Sequence, residues 1–296
     1  MRVHLVDGTF ELFRAHFSKR PAHRAPAGWE AKATLGLSSS LLALLNDERE
    51  AVTHVAVAFD NPIRSFRNDL WPGYKTDEGV PRELLAQFDP AEEAARALGL
   101  TVWSMRDHEA DDALATGVER FREAVDQVRI LTPDKDLGQC LSGERVVQVD
   151  RIRHRVIDEA ELFARRGIRP ESVPDFLALV GDDADGIPGL PGFGEKTAAK
   201  LLERFLHLES IPEDPVLWPE CIRGAPELSR VLVSGREAVL LYRRLATLVK
   251  DVPLRESLED LCWRGIPRGR FEAWSSALGA KGLLAAVEGR ARMAGG

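Results

Sequence analysis

The chain is poor in sulfur, has no long apolar run and carries no excess of basic charge. Its three cysteines, Cys140, Cys221 and Cys262, are odd in number, far apart and form no CxxC pair. Neither a zinc ribbon nor a disulfide framework fits that pattern, and a reducing, cytoplasmic setting is expected. No stretch of about 18 apolar residues occurs, so no transmembrane helix and no membrane partner are expected. The N-terminus reaches a strand-like run by Val3 without the apolar segment and small-residue cleavage site of a signal peptide. The formal charge is −7, which taken alone argues against nucleic-acid binding, since that usually wants a basic face. No internal repeat or low-complexity segment stands out.

What is present is a pattern of alternating elements in 296 residues, enough for one large domain or two smaller ones. Short apolar runs at 3–6, 54–59, 101–103 and 127–131 read as strands. Helical spacing occupies 9–17, 32–45, 81–98 and 109–125, while 61–80 is irregular. The segments 145–150 and 155–157 read as a hairpin. Strands alternating with helices predict an α/β region with a mostly parallel sheet and flanking helices over 1–165. From about residue 158 the strand signal stops. Helices are expected at 158–166, 174–180, 195–205, 226–233 and 237–249, giving an all-helical region over 166–296.

Acids recur at the ends of the strands, where ligands bind in parallel sheets. Asp7 follows the first strand, Asp60 the second, and Asp134 and Asp136 the fourth. Two further runs, Glu109-Ala110-Asp111-Asp112 and Asp182 with Asp185, each place two acids three residues apart, on one face of a helix or turn. Taken singly, each of these acids reads as a turn former or helix cap. Together, the nine would repel one another unless cations intervened. Oxygen-only ligation points to Mg²⁺ or Mn²⁺ rather than zinc. Two such ions about 3.5–4 Å apart suit in-line phosphodiester hydrolysis, one activating water and one stabilising the leaving oxygen. With the nine set aside the formal charge moves from −7 to +2, which is compatible with a mildly basic surface around an acidic centre. An EF-hand is excluded, since Asp107-His108-Glu109-Ala110-Asp111 is followed by Asp112 rather than Gly.

The densest stretch is 181–197, with three Asp, five Gly and two Pro in seventeen residues. Gly189, Gly192 and Gly194 sit before a helix starting near Glu195, where free backbone amides and Lys196 could grip phosphate. A tight interhelical turn is the plainer reading. A Walker A loop is excluded because Glu195 precedes Lys196, and a dinucleotide fingerprint because Thr197 stands where its third glycine should be.

These residues resemble the bacterial 5′-3′ exonuclease and flap endonuclease family, including the N-terminal nuclease domain of DNA polymerase I. The matching stretches are Leu5-Val6-Asp7-Gly8, Phe59-Asp60, Phe66-Arg67, Tyr74-Lys75, Glu109-Ala110-Asp111-Asp112, Asp134-Lys135-Asp136 and 181–197. They follow family order over about residues 1–250. The resemblance implies a PIN-like nuclease core, an arch over about 66–90 and a helix–three-turn–helix DNA-binding element. It implies two divalent ions, Mg²⁺ with Mn²⁺ as a substitute. Asp7, Asp60, Glu109, Asp111 and Asp112 would surround one, and Asp134, Asp136, Asp182 and Asp185 would serve the other. Lys75 and Arg67 would stabilise the phosphate, and Tyr74 would stack on a base. Arg14, Gly189, Gly192, Gly194, Lys196, Thr197 and Lys200 would contact DNA, and K⁺ could sit in the hairpin. The implied activity is sequence-independent cleavage of branched, flap or 5′-ended DNA by a bacterial, nucleoid-associated, cytoplasmic monomer, free-standing because no polymerase domain follows.

Two departures from the family pattern stand out. Asp77 and Glu78 lie where a basic arch is expected, and Gly186 stands where an Asn is expected after Asp185. The acidic arch keeps a second reading open, a structure-specific DNA-binding protein with weak or no catalysis. A third is a nuclease that removes RNA primers on the same core.

Overall fold

The computed structural model describes residues 1–280, 282–283, 287 and 293–294. Along the first half the elements are β1 (Arg2–Asp7), α1 (Gly8–Phe17), α2 (Lys32–Leu45), β2 (His54–Asp60), α3 (Arg67–Leu70), α4 (Arg82–Leu85), α5 (Phe88–Ala97), β3 (Thr101–Met105), α6 (Ala110–Phe121) and β4 (Gln127–Leu131). Then come β5 (Val146–Asp150), β6 (Arg155–Ile157), α7 (Glu159–Arg166), α8 (Val173–Val180), α9 (Glu195–Phe205), α10 (Ala225–Ser234), α11 (Arg236–Ala246), β7 (Ile266–Pro267), α12 (Arg268–Leu278) and β8 (Met293–Ala294). Among the described residues no helix is long and apolar enough to cross a membrane.

These elements form two compact units, neither of which is a single cut of the chain. The first comprises Met1–Ile63, Asp77–Thr132 and Lys250–Gly296; the second comprises Arg64–Thr76 and Pro133–Val249.

The first unit is built on parallel strands in the order β3-β2-β1-β4. Val3 to Val6 and Val55 to Phe59 are buried on both faces, as the unbroken apolar runs of parallel strands require. Helix α6 lies against β1, β2 and β3, while α1 packs on α2, and α2 and α12 pack on α5. The register sets Asp7 opposite Ala58 and Asp60 opposite Met105, so both acids finish their strands at the same carboxyl edge. The helix expected over 81–98 is interrupted. Ala86 closes the short α4 by donating to Arg82 O, and α5 starts afresh after Gln87. The Gln87 amide is buried and spent elsewhere, its Oε1 accepting from Ala33 N and Thr34 N at 3.0 Å each. A two-residue parallel pair, β7 with β8, was not foreseen by the strand pattern.

The second unit holds the antiparallel hairpin β5–β6, pairing Gln148 with Ile157 and Asp150 with Arg155, and the helices α7 to α11. Helix α8 is apolar along nearly its whole length and packs on α9 and α11. Leu179, Leu201, Leu202, Val239 and Leu245 are nearly fully buried in the core around it. Helix α7 is bounded by local chemistry at both ends. Asp158 caps it by accepting from Glu161 N at 2.8 Å, and Gly167 ends it in the left-handed region at φ 68°.

Candidate metal centre

In the first unit the acids are locked into place by hydrogen bonds from helix starts. Asp7 caps α1, its Oδ1 accepting from Phe10 N at 2.8 Å and its Oδ2 from Thr132 Oγ1 at 2.9 Å. Asp60 accepts at Oδ1 from Ala110 N at 2.6 Å, and its own amide donates to Thr9 Oγ1 at 2.8 Å. Glu109 N donates to Oδ2 of Asp112 at 3.0 Å. A chain of contacts therefore runs from α1 through Asp60 to the start of α6. Asp7, Asp60, Glu109 and Asp112 are buried and Asp111 is half-buried. Burying this many acids is costly without compensating charge, which marks the edge as built for cations or for the helix dipoles that already face it.

In the second unit Asp136, Asp182 and Asp185 gather into a cluster, with Asp134 acting on Asp136 electrostatically. Carboxylate oxygens of Asp136, Asp182 and Asp185 lie within 4.8 Å of one another. At an effective dielectric of 20, two like charges about 4 Å apart repel by about 4 kcal/mol, so the group needs counter-charge. Two lysines supply part of it. Lys75 Nζ lies 3.0 Å from Asp185 Oδ1, and Lys135 Nζ 2.7 Å from Asp182 Oδ2. Burial weakens the charge on Lys135, but the Asp182 hydrogen bond, with Asp136 and Asp134 nearby, more than offsets this and raises its pKa. For Asp136 the balance goes the other way. Burial, then repulsion from Asp134, Asp185 and Asp182, holds its carboxyl well above the usual carboxylate range despite Lys75. Its Oδ1 is buried and has no hydrogen-bond partner. A buried oxygen acceptor beside two other carboxylates is a donor set that fits a hard divalent ion.

The segment 64–76 runs directly beside these acids. Lys75 N donates to Asp185 O at 3.1 Å, and Trp71 Nε1 donates to Gly186 O at 3.1 Å. Gly186 has φ +71°, and a Cβ there would stand 2.0 Å from Gly73 O. No side chain fits, so glycine at this position follows from the close passage of the segment.

Beyond the acids the chain forms the hairpin into α9. Asp182 and Ile187 exchange backbone hydrogen bonds of 2.7 and 2.8 Å, and Leu190 N donates to Leu179 O at 2.8 Å. Gly192, Gly194, Lys196 and Lys200 are exposed, and Thr197 is half-buried. Gly189 turns the chain at φ +71°, where a Cβ would meet Val180 C at 2.5 Å.

Comparison with known proteins places this arrangement. Residues 2–167 match the model of the 5′-3′ exonuclease N-terminal resolvase-like domain, and residues 168–268 that of the 5′-3′ exonuclease C-terminal SAM fold. The chain belongs to the 5′-3′ exonuclease family. It is 31% identical to DNA polymerase I of Bacillus caldotenax over 96% of its own length, and it spans 32% of that polymerase. It is 29% identical to the 5′-3′ exonuclease of Aquifex aeolicus, covering 88% of this chain and 86% of that protein. The fold is that of the T5 5′-exonuclease solved with divalent zinc ions bound. That structure superposes with a TM-score of 0.67 at 18% identity, over 94% of this chain and 98% of that one.

Of three side chains that the family resemblance assigns to substrate, those of Arg67 and Tyr74 are buried, while that of Arg14 is 37% exposed. Arg67 is 1% exposed, with Nε donating to Leu245 O at 2.8 Å and Nη2 to Thr247 O at 3.0 Å. It ties the 64–76 segment to the end of α11 instead of facing solvent. Tyr74 is 4% exposed within the core, its hydroxyl 3.5 Å from Asp185 Oδ2, so its ring is not presented for stacking on a base. Arg14 is paired with Glu11 and donates to Ser40 Oγ at 2.9 Å. Conversely, Lys135 touches the acid cluster, although sequence reasoning gave it no role. The signal was there in a lysine set between two strand-end acids. Thr9 and Thr132, which hold Asp60 and Asp7, carry no sequence mark of that duty.

Proposed function

We propose that the chain hydrolyses phosphodiester bonds at the 5′ end or 5′ flap of branched DNA, using Mg²⁺, with Mn²⁺ able to replace it. The observation that carries this reading is the Asp136–Asp182–Asp185 cluster with its orphaned buried oxygen, set beside Lys75 in a chain of the 5′-3′ exonuclease family. Asp134, Asp136, Asp182 and Asp185 are proposed to hold one ion, and Asp7, Asp60, Glu109, Asp111 and Asp112 the other. Bound divalent ions would supply an activated water and charge for the leaving oxygen.

The chain's own residues do the rest. Lys75 is held in place by its backbone bond to Asp185. Its ammonium, 3.0 Å from Asp185 Oδ1, would stabilise the charge developing on a phosphate oxygen brought to the cluster. Asp136 keeps its proton at low pH and must release it to bind a cation. The exposed hairpin amides and Lys196 hold phosphates without reading bases. The same proposal places K⁺ at the hairpin carbonyls and the activity in the bacterial cytoplasm, at the nucleoid.

The test is cleavage of a fluorescent 5′-flap duplex in Mg²⁺ and in Mn²⁺. Product with a 5′-phosphate, lost in Asp111→Asn, is expected. No product from the purified protein in either ion sinks the nuclease reading. If the flap is then bound in Ca²⁺ nonetheless, the exposed Asp77 and Glu78 favour a DNA-binding protein without turnover. RNA and DNA flaps compared side by side decide the strand chemistry.

A further inference from the structure

Two clefts in the second unit share a wall. The larger, about 720 Å³, opens beside α9 and is lined by Lys196, Lys200 and Arg223 together with Arg165 and Arg166. The smaller, about 220 Å³, is lined by Lys135, Arg153 and Arg155 and again by Arg165 and Arg166. The two arginines at the end of α7 are thus the divide between the clefts. At one end the series reaches the hairpin through Lys196. At the other it reaches the acid cluster, because Lys135 is the lysine paired with Asp182 at 2.7 Å.

The charge along this route is lopsided. Glu195 and Glu203 are the acids in the larger cleft, and Asp150 is the acid in the smaller. Two of those three are already engaged, Glu203 with Lys200 at 2.6 Å and Asp150 with Arg153 at 2.8 Å. Among the described residues Arg155, Arg166, Lys196 and Arg223 form no side-chain ion pair. A chain with net charge −7 therefore lines these two adjoining clefts with eight cations, four of them paired with acids, Arg165 with Glu161 among them, and four not. Cations spaced along a path, rather than converging on a point, suit a ligand whose charges are themselves spaced at regular intervals.

We infer that the two clefts form a phosphate track, in which one DNA strand passes from the hairpin over Arg165 and Arg166 to Lys135 at the acid cluster. This rests on the reading of the chain as acting on DNA, and it assigns binding work to α7 and the β5–β6 hairpin, outside the hairpin element before α9. The track offers the strand a basic approach independent of Asp77 and Glu78.

The test is the salt dependence of flap-duplex binding in Ca²⁺ for the wild type and the double variant Arg165→Ala/Arg166→Ala. About a tenfold loss of affinity with a salt slope smaller by about 2 is expected, each phosphate contact being worth about 0.9 of slope. The double variant Arg165→Lys/Arg166→Lys should restore the slope. An unchanged slope overturns the track, even if affinity falls, because lost packing alone does not change counterion release. Methylphosphonate linkages in the duplex next to the flap supply a second arm. They should lower the slope of the wild type and not that of the alanine variant, and an equal loss in both overturns the proposal. A wild type that never cleaves in Mg²⁺ would refute the nuclease reading and leave this binding test fully decisive.

Discussion

The ammonium of Lys75 lies 3.0 Å from Oδ1 of Asp185, while its backbone amide donates to the carbonyl of the same residue at 3.1 Å. The backbone bond fixes where the side chain starts, and the ion pair shows how far it can reach. Lys75→Ala is therefore expected to lower the single-turnover cleavage rate by about a hundredfold, the usual loss for one preorganised electrostatic donor. Flap affinity should change little. An unchanged rate would show that Lys75 serves only to neutralise Asp185.

Asp136 makes the acid cluster a stability liability. Its folded-state pKa is raised, first by burial and then by Asp134, Asp185 and Asp182. A raised pKa means the folded state holds a proton that the unfolded state gives up. The stability it contributes is full below the unfolded pKa, near 3.8, and is lost as pH rises through the folded value. Asp136→Asn should accordingly raise Tm at neutral pH in chelator and flatten the dependence of Tm on pH. Mn²⁺ should raise Tm more in the wild type than in the variant, which keeps the other proposed ion site. A variant that melts lower than the wild type in chelator would contradict this account.

Gly186 carries the close passage of the 64–76 segment. With φ +71° and Gly73 O 2.0 Å from any Cβ, Gly186→Ala is expected to cost about 1–3 kcal/mol from backbone strain alone, more if the segment is pushed aside. Urea unfolding measures the first effect. A matching fall in cleavage by the fraction that remains folded would show that Lys75 has moved away from Asp185.

How much of this was legible in the sequence depended on the range of the interactions. The parallel strands and their terminal acids could be read because an apolar run ending in Asp is a local pattern, and the register then brings Asp7 and Asp60 to one edge. The fate of Arg67 and Tyr74 could not. Arg67 is satisfied by carbonyls 178 and 180 residues away, and nothing near it in sequence announces them. Gly186 read as a departure from the family pattern, whereas its cause is Gly73, more than a hundred positions earlier. The return of α12 to the first unit escaped for the same reason. Sequence order puts it after the helices of the second unit, while its packing partner, α5, lies in the first half of the chain.

Arg67 should behave as a structural residue. Replacing it by Met leaves the carbonyls of Leu245 and Thr247 without these donors. An unsatisfied buried polar group costs about 1–3 kcal/mol, so Arg67→Met is expected to lower the urea midpoint clearly. A variant with unchanged stability and a rate lost only at saturating protein would instead place Arg67 on the phosphate.

Asp77 and Glu78 are exposed on a turn in which Val80 N donates to Asp77 O at 3.1 Å. Exposed charges act on an approaching polyanion through solvent, over a Debye length of about 10 Å at 0.1 M salt and about 3 Å at 1 M. If DNA passes this turn, Glu78→Arg should speed flap capture and single-turnover cleavage at low salt, and the gain should shrink steadily as salt is raised. Stability should be little affected, since the substitution is on the surface. If DNA avoids the turn, the variant and the wild type should show the same rate at every salt concentration. Stopped-flow binding and cleavage measured across a salt series separate the two outcomes, and the second would leave Asp77 and Glu78 with no part in setting the rate.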